Sequence, residues 1–409
     1  MELFREIGQS LSRNRLRTLL TGFVMAWGIF MLVVLLGIGK GFQNGYSKEF
    51  KDDAVNSIRI RKGQISRPYK GQQVGKYIQL TNQDLDNIAQ NLQGIEHISA
   101  RWNQYRNNVV SYQEKSVSYI IKGVHPDHKY LQKTIVTDGR FLNNFDIHQN
   151  RKVIAIGKWV NQELFGNQSG LGKWIFVNGI SFQVVGIFRD EGSDDENKVV
   201  FIPVTTAQSV FEGAPNIDHI IFSIPNANLE KSKALAMEAK ERLAKVHQFD
   251  PNDPRALFVR NNYENFQKFL SVFHAIDAFI WIIGLMTIIA GIIVVSTIVL
   301  VSVKERTKEI GIRKAIGATP FAINKMILLE SMTLTAISGY VGMIFGLLSL
   351  EWMNSFFTTK ASWMISNPSV SLTIVWTSTL ILIFAGVAAG AVPAIRASKV
   401  KPAIALKSL

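Results

Sequence analysis

The chain contains no cysteine, which excludes disulfides, thiolate catalysis and cysteine-ligated metal sites together. A lipoprotein signal is excluded for the same reason. Charge is scarce as well. Only 19% of residues are charged, against about a quarter in an ordinary soluble chain, and the mean hydropathy is positive. The shortage is concentrated in four uncharged stretches, Thr18 to Gly39, Ala278 to Val303, Ser331 to Leu350 and Ala361 to Ile395. Each meets the roughly 20 residues needed to cross about 30 Å of hydrocarbon. Four such runs argue against a wholly soluble protein. Neither G-x-S-x-G nor H-E-x-x-H occurs, so a membrane-anchored hydrolase is disfavoured.

The first run follows Arg13, Arg15 and Arg17, as a signal peptide would. Its 22 uncharged residues exceed the usual 7–15-residue apolar region, and no clear A-x-A site follows. An uncleaved signal anchor is the better reading. Net charge is +14, and its placement is more informative than its sum: segment 1–17 carries four Lys/Arg, 304–320 five and 396–409 four, while 351–370 carries only Lys360. Basic residues at span ends mark the cytoplasmic side. Both termini and 304–320 are therefore expected inside, with 40–272 and 351–370 outside. Because the charges sit beside spans, anionic lipid is the expected partner and nucleic acid is not.

The expected architecture is a membrane α-helical chain of four transmembrane helices. A large α+β extracytoplasmic domain of two lobes is inserted between spans one and two. In order these are an amphipathic N-terminal helix 1–17, span one 18–39, the outer domain 40–272, span two with its stalk 273–303, a cytoplasmic segment 304–320, span three 321–350, a short outer connection 351–370, span four 371–395 and a cytoplasmic tail 396–409. In 1–17, Leu3, Phe4, Ile7 and Leu11 share one face, which suits either an interfacial helix or a simple topology anchor.

Within the outer domain, strand-like runs cover Ser57–Arg61, Lys115–Gly123, Lys152–Gly157, Trp174–Val177, Ser181–Phe188, Val199–Val204 and His219–Ile224. Asn178-Gly179 between two of them predicts a type I′ hairpin. Thr81 followed by Asp84 opens a helix over Leu85–Leu92, and a half-buried amphipathic helix spans Leu229–His247. A contiguous insert of about 130–225 forms one expected lobe, and about 45–125 with 226–270 the other. A helix from about Tyr263 is expected to run through Phe269 and Phe273 into span two.

In the cytoplasmic segment, Glu305, Glu309 and Arg313 follow at i, i+4 spacing. Gly311 and Gly317 read as breakers, and Thr319-Pro320 as the start of the next helix. A short kinked helix-turn results. On residue chemistry alone it serves equally as a topology loop. Ser338, Gly342 and Gly346, and Gly386 with Gly390, form small-xxx-small patterns suited to close helix packing.

The string KERTKEIGIRKAIGAT at 304–319 resembles the signature between spans two and three of MacB/FtsX-type ABC transporter permeases. Three further segments are similar to that family: LSRNRLRTLLTGFVMAWGI at 11–29, DGRFLNNFDIHQNRKVIAIGKWVNQELFG at 138–166 with LGKWIFVNGISFQVVGIF at 171–188, and PAIRASKVKPAIALKSL at 393–409. The resemblance spans nearly the whole chain and is least distinctive over 45–125. It implies a transporter subunit, homo- or heterodimeric, in the bacterial inner membrane, whose cytoplasmic loops dock on two ABC ATPase subunits. The ATPase-coupling role would fall on Glu305, Arg306, Glu309, Gly311, Arg313, Gly317 and Ala318. A periplasmic adaptor and an outer-membrane channel are further partners that the family allows. Glu330 matches a family glutamate near the start of span three, and its plainer reading is an interfacial carboxylate near Lys325. The implied work is mechanical: ATP-driven closure of the ATPases pushes on 304–320, and the outer domain moves around an extracytoplasmic substrate for export or efflux. A lipoprotein-releasing permease and an FtsX-like regulator of cell-wall hydrolases remain alternatives, the latter with a typically smaller outer domain.

Several motifs carry less than they suggest. Gly166 to Trp174 superficially looks like a phosphate loop, yet it has one residue too many and no Ser/Thr after Lys173. The chain itself is therefore expected to need no cofactor, with ATP and magnesium held by a separate ATPase. His125 and His128 on a proline-containing loop read as a solvated turn, not a metal pair. Asp190, Glu191, Asp194, Asp195 and Glu196 read as a solvated hairpin tip without calcium-loop spacing. The topology has a direct test. Cysteines introduced at Ser10, Thr307 and Ser398 are expected to resist a membrane-impermeant thiol reagent applied from outside, while one at Ser193 reacts. Outside labelling at Thr307 would reverse the assignment.

Overall fold

The structure is a computed structural model, and it describes residues 15–49, 54–104, 108–190, 195–359 and 372–400. The apolar face of 1–17, the connection around Lys360, residues 191–194 and most of the tail lie outside the described residues. The chain divides into a membrane unit, Met1–Tyr46 with Val272–Leu409, and an inserted unit, Ser47–Ser271.

Helix α1 covers Arg15–Glu49. The inserted unit then runs through strands β1 (Ser57–Lys62) and β2 (Leu80–Thr81), helix α2 (Asn82–Asn91), strands β3 (Ile98–Asn103), β4 (Val109–Tyr112), β5 (Lys115–Ser118), β6 (Ile120–Val124), β7 (Ile135–Gly139) and β8 (Val153–Gly157), helix α3 (Lys158–Phe165), strands β9 (Trp174–Val177), β10 (Ile180–Arg189), β11 (Val199–Pro203), β12 (Asn216–Ile217) and β13 (His219–Ser223), helix α4 (Leu229–His247) and β14 (Leu257–Asn261). Helix α5 follows over Asn262–Glu305, then α6 (Thr307–Ala315), α7 (Pro320–Thr359) and α8 (Leu372–Ser398). Four of these helices are long and apolar enough to cross a membrane, over Thr18–Gly45, Asn262–Glu305, Pro320–Ser355 and Val375–Ser398. The chain is thus a multi-pass membrane protein with a mixed α/β domain between its first and second spans.

In the membrane unit the small residues sit where helices meet. A side chain at Gly342 would collide with the Ala26 carbonyl oxygen, and one at Gly346 would press on Val33, while Ser338 lies against Gly22. These three positions bring α7 onto α1. Gly386 and Gly390 of α8 abut Met332 and Ser331 of α7, and the Ser331 hydroxyl donates to the Gly386 carbonyl at 3.1 Å. Helix α5 meets α1 through Gly284 against Leu32 and Gly291 against Met25.

The inserted unit is built on one mixed sheet in the order β14-β1-β13-β3-β6-β11-β8-β10-β9-β4-β5, with β7 beside β10. Strands β6 and β11 pair in parallel, as do β8 and β10. One face buries Ile58, Ile60, Ile121, Phe182 and Phe222 together with Leu85 and Ile88 of α2 and Leu235 and Leu243 of α4. The other face buries a smaller cluster that includes Val124, Phe141, Phe188 and Phe201. Thr81 and Asp84 form the capping box of α2, and Asn178 and Gly179 both take positive φ, 49° and 83°, at the hairpin tip, as a type I′ turn requires.

The expected division into lobes shifts at three strands. Hairpin β4–β5 was placed by sequence with the flanking lobe, but β4 pairs with β9 of the insert. Conversely β13 pairs with β1 and β3. A single sheet therefore runs through both parts. Ladders between distant segments decide this, and they leave no mark in local periodicity.

The His125–His128 turn is not solvated. The His125 Nδ1 accepts from the Ala100 amide at 3.1 Å. His128 is fully buried, edge-on to Phe201 at 5.3 Å, with Nε2 2.8 Å from Gln132 Oε1. Glu196 likewise leaves the presumed acidic tip: it accepts from Lys122 Nζ at 2.7 and 2.8 Å. Burial, then the nearby Arg101, hold that lysine down to about 8. Burial also pushes His125 down to about 4 and lowers His128 and His219, both further depressed by Arg101. Unfolded histidines take up protons near pH 6.5, while these folded ones resist protonation. Stability is then complete above about 6.5 and declines as pH falls toward the folded value. The thermal midpoint of the detergent-purified chain is accordingly expected to drop between pH 7 and pH 5. His125→Asn, which keeps an acceptor and removes the titration, is expected to flatten part of that slope. A midpoint independent of pH over this window would contradict the assignment.

Candidate functional site

The segment between α5 and α7 is shaped by three local devices. Helix α5 stops at Glu305, Arg306 leaves helical geometry (φ −100°, ψ 13°), and α6 starts at Thr307. The Thr307 hydroxyl bonds back to the carbonyls of Val303 and Lys304 at 3.1 and 2.8 Å, satisfying groups freed by the break. At the other end Gly317 adopts φ +105°. Its amide and that of Ala318 reach back to the carbonyls of Lys314 and Arg313, a helix stop that a left-handed residue permits. Thr319 then accepts from the Ala322 amide at 3.3 Å, with Pro320 as the first residue of α7, a favourable start for a helix.

One side of α6 faces the protein. Ile310 and Gly311 are buried. Gly311 is therefore no breaker: it lies inside α6, where the lack of a side chain suits close packing. Arg306 Nη1 stands 3.8 Å from Glu330 Oε1 of α7, so Arg306 is an ion partner of that carboxylate. The pair is largely sequestered, with the Glu330 residue only 9% exposed, and a carboxylate at such depth needs a cation. Arg313 Nη1 lies 3.1 Å from the Met326 sulfur. Lys314 Nζ donates to the carbonyls of Ser398 and Val400, at the end of α8, at 2.7 and 2.8 Å.

The other side of α6 is open. Glu305, Lys308, Glu309 and Arg313 are exposed. Ile316 is 81% exposed, Phe321 76% and Ile312 41%. Sequence reasoning singled out the charges and passed over these three apolar residues. Their signal was available: Ile312 and Ile316 are i, i+4 neighbours, out of phase with buried Ile310. Of the residues selected from the sequence, Glu305, Glu309, Arg313 and Gly317 fall on the exposed surface and Ala318 is half-buried. Arg306 and Gly311 turn inward and hold the segment in place.

The inserted unit contains a cavity of about 350 Å³ walled by Trp102 and Phe211. Several of its polar groups pair with one another. Glu212 accepts from the Trp102 indole and, at 2.9 Å, from Asn216, and Asp218 pairs with Lys62 at 2.5 Å. In the phosphate-loop lookalike, Lys173 lies over the rings of Phe165 and Tyr112 at 4.9 and 5.6 Å, a cation–π arrangement.

Comparison with known proteins follows this division. Residues 18–239 match the MacB-like periplasmic core domain family, and residues 281–402 match the FtsX-like permease C-terminal family. The chain is 28% identical over 408 residues to the macrolide export ATP-binding/permease protein MacB of Chlorobium phaeobacteroides, covering 98% of this chain and 59% of that protein. It is 27% identical to the MacB protein of Bdellovibrio bacteriovorus, over 98% of this chain and 60% of that one. The chain thus spans about three fifths of the length of these curated relatives. The crystal structure of the periplasmic region of MacB from Actinobacillus actinomycetemcomitans aligns with a TM-score of 0.44 at 18% identity, over 54% of this chain and 95% of that structure.

The left-handed turn provides a test of how firmly the segment is held. A β-branched residue at Gly317 meets strain of about 1–3 kcal/mol. Gly317→Val is expected to loosen the end of α6 and accelerate tryptic cleavage after Arg313 or Lys314 by roughly 5- to 100-fold. Unchanged cleavage would show that the turn does not set the segment's stability.

Proposed function

Since the chain belongs to the MacB-like periplasmic core domain family, with an FtsX-like permease region after it, we propose that it is the permease subunit of an ABC transporter. In this reading an ATPase lying outside these 409 residues docks on α6 from the cytoplasm, and the inserted domain faces the outside of the bacterial inner membrane. The observation that carries the proposal is the two-sidedness of the 304–320 segment. One side is tied to α7 and α8 by Arg306, Arg313 and Lys314, while the other exposes Ile312, Ile316 and Phe321 among charges. A loop needed only for topology requires its charges and has no use for an exposed isoleucine at a helix end.

The work is mechanical. Closure of the ATPases displaces α6. Because α6 is joined to α5 and α7 and bonded to α8, the displacement is delivered to three spans together. The inserted domain responds through α5, which is one uninterrupted helix from Asn262 to Glu305, and an extracytoplasmic substrate is expelled. The polar groups buried among the described spans are chiefly the hydroxyls of Thr21, Ser331, Thr335, Ser338 and Ser378, plus Glu330. These are too few to line a hydrated path, which favours transmitting force over conducting solute. Export by the MacB relatives suggests the direction, with a second permease copy completing the unit.

Docking predicts a graded mutational pattern. Burying an isoleucine side chain at an interface stabilises it by about 1.5–3 kcal/mol, so Ile316→Asp is expected to lower ATPase association by roughly 10- to 100-fold. Charge reversal at Glu309 or Arg313 is expected to weaken association or uncouple hydrolysis from transport, since losing a desolvated pair typically costs about 2–5 kcal/mol. Reversal of the exposed Lys245 in the inserted domain serves as the control and is expected to change neither. Normal pull-down of the ATPase and full transport-coupled hydrolysis in all three variants would sink the docking assignment.

A further inference from the structure

Helix α8 ends in exposed backbone. The last carbonyls of an α-helix have no partner within it, and the aligned dipoles place partial negative charge there. The turn that closes α8 uses the amides of Lys399 and Val400 on the carbonyls of Arg396 and Ala397. The Ser398 and Val400 carbonyls instead receive the Lys314 ammonium, at 2.7 and 2.8 Å. Both are charge-assisted hydrogen bonds, the stronger kind. Lys314 belongs to α6 and is 84 and 86 residues away in sequence.

From this contact we infer that Lys314 is the positioning residue that latches the coupling segment to span four. Its neighbours divide the labour. Covalent connection carries α6 to α5, and the Gly317 turn with the Arg306–Glu330 pair carries it to α7. Span four has no covalent connection to α6 except through the whole of α7 and the following connection. Lys314 supplies two hydrogen bonds from α6 to the α8 end. A push on α6 therefore reaches the cytoplasmic end of span four directly while this latch holds. Without it, the cytoplasmic end of span four follows α6 only indirectly, through its packing against α7. The inference rests on the docking role of α6 and adds to it the element that receives the force.

The test uses the full chain in nanodiscs, with and without its ATPase. Since the chain has no cysteine, spin labels can be placed cleanly at Lys308→Cys and Lys399→Cys, both exposed positions. The unsubstituted latch is expected to give one narrow distance, Lys314→Arg to preserve it, and Lys314→Met to broaden it. Loss of a charge-assisted pair shifts the latched population by roughly 10- to 100-fold. Lys314→Met is expected to retain ATPase binding while permease-coupled hydrolysis falls by a similar factor, and Lys314→Arg to restore it. A narrow distance and full coupling in Lys314→Met would overturn the latch. If the ATPase fails to bind even the unsubstituted chain, the docking reading falls, and the spin-label distances still judge the latch on their own. If Lys314→Met does not insert, amine labelling of the unsubstituted protein decides. Lys314 is expected to react at least roughly 10-fold more slowly than exposed Lys308, and equal rates would overturn the proposal.

Discussion

Helices in lipid gain nothing from hiding apolar surface from one another, because the tails around them are equally apolar. Association has to come from close backbone approach and interhelical hydrogen bonds. Helix α7 meets that constraint with two partners, and the membrane unit depends on it. Ser338, Gly342 and Gly346 admit α1, while Ser331 and the Gly386–Gly390 pair admit α8. Both contacts rely on the absence of side-chain volume, so they tolerate little change in separation. A bundle joined this way moves as packed blocks rather than deforming continuously, which is what the proposed transmission of force requires.

The 304–320 segment uses the other kind of contact. Its ties are polar: an Arg–Glu pair, a guanidinium on a thioether and an ammonium on two carbonyls. They form at the ends of the spans, where backbone groups are left over and water is near. Polar ties hold orientation strongly while leaving the apolar face of α6 free for a partner. The division explains why Arg306 and Gly311 are placed differently from Glu309 although all lie in one signature, while Arg313 is exposed yet also touches Met326.

The inserted domain obtains its stability by different means. Burial on both faces of a long sheet supplies the driving force, and the sheet carries unusual polar cargo on its second face. Lys122 is buried with Glu196, and His125, His128 and His219 are kept neutral by desolvation. Such groups cost stability when their partners are lost, and the depressed histidines are the source of the acid sensitivity expected of the domain.

Much of this was legible in the sequence by itself. Four uncharged runs determine four spans because hydrocarbon penalises every charge. The small-residue spacing identifies the packing stripes, and Thr81 with Asp84, Asn178-Gly179 and Leu229–His247 mark elements whose signals are local. The KERTKEIGIRKAIGAT string marks the segment to which the docking proposal attaches. Tertiary structure alone decided how the strands were shared between the two parts of the domain, since β4 with β9 and β13 with β3 are pairings between distant segments. It also decided that His128 is core, that Glu330 answers Arg306, and that Lys314 reaches the end of α8. The physical reason is common to all of these. Local sequence specifies which backbone conformations are cheap, whereas the partner of a buried polar group is chosen by whichever distant segment the packed fold brings within 3 Å.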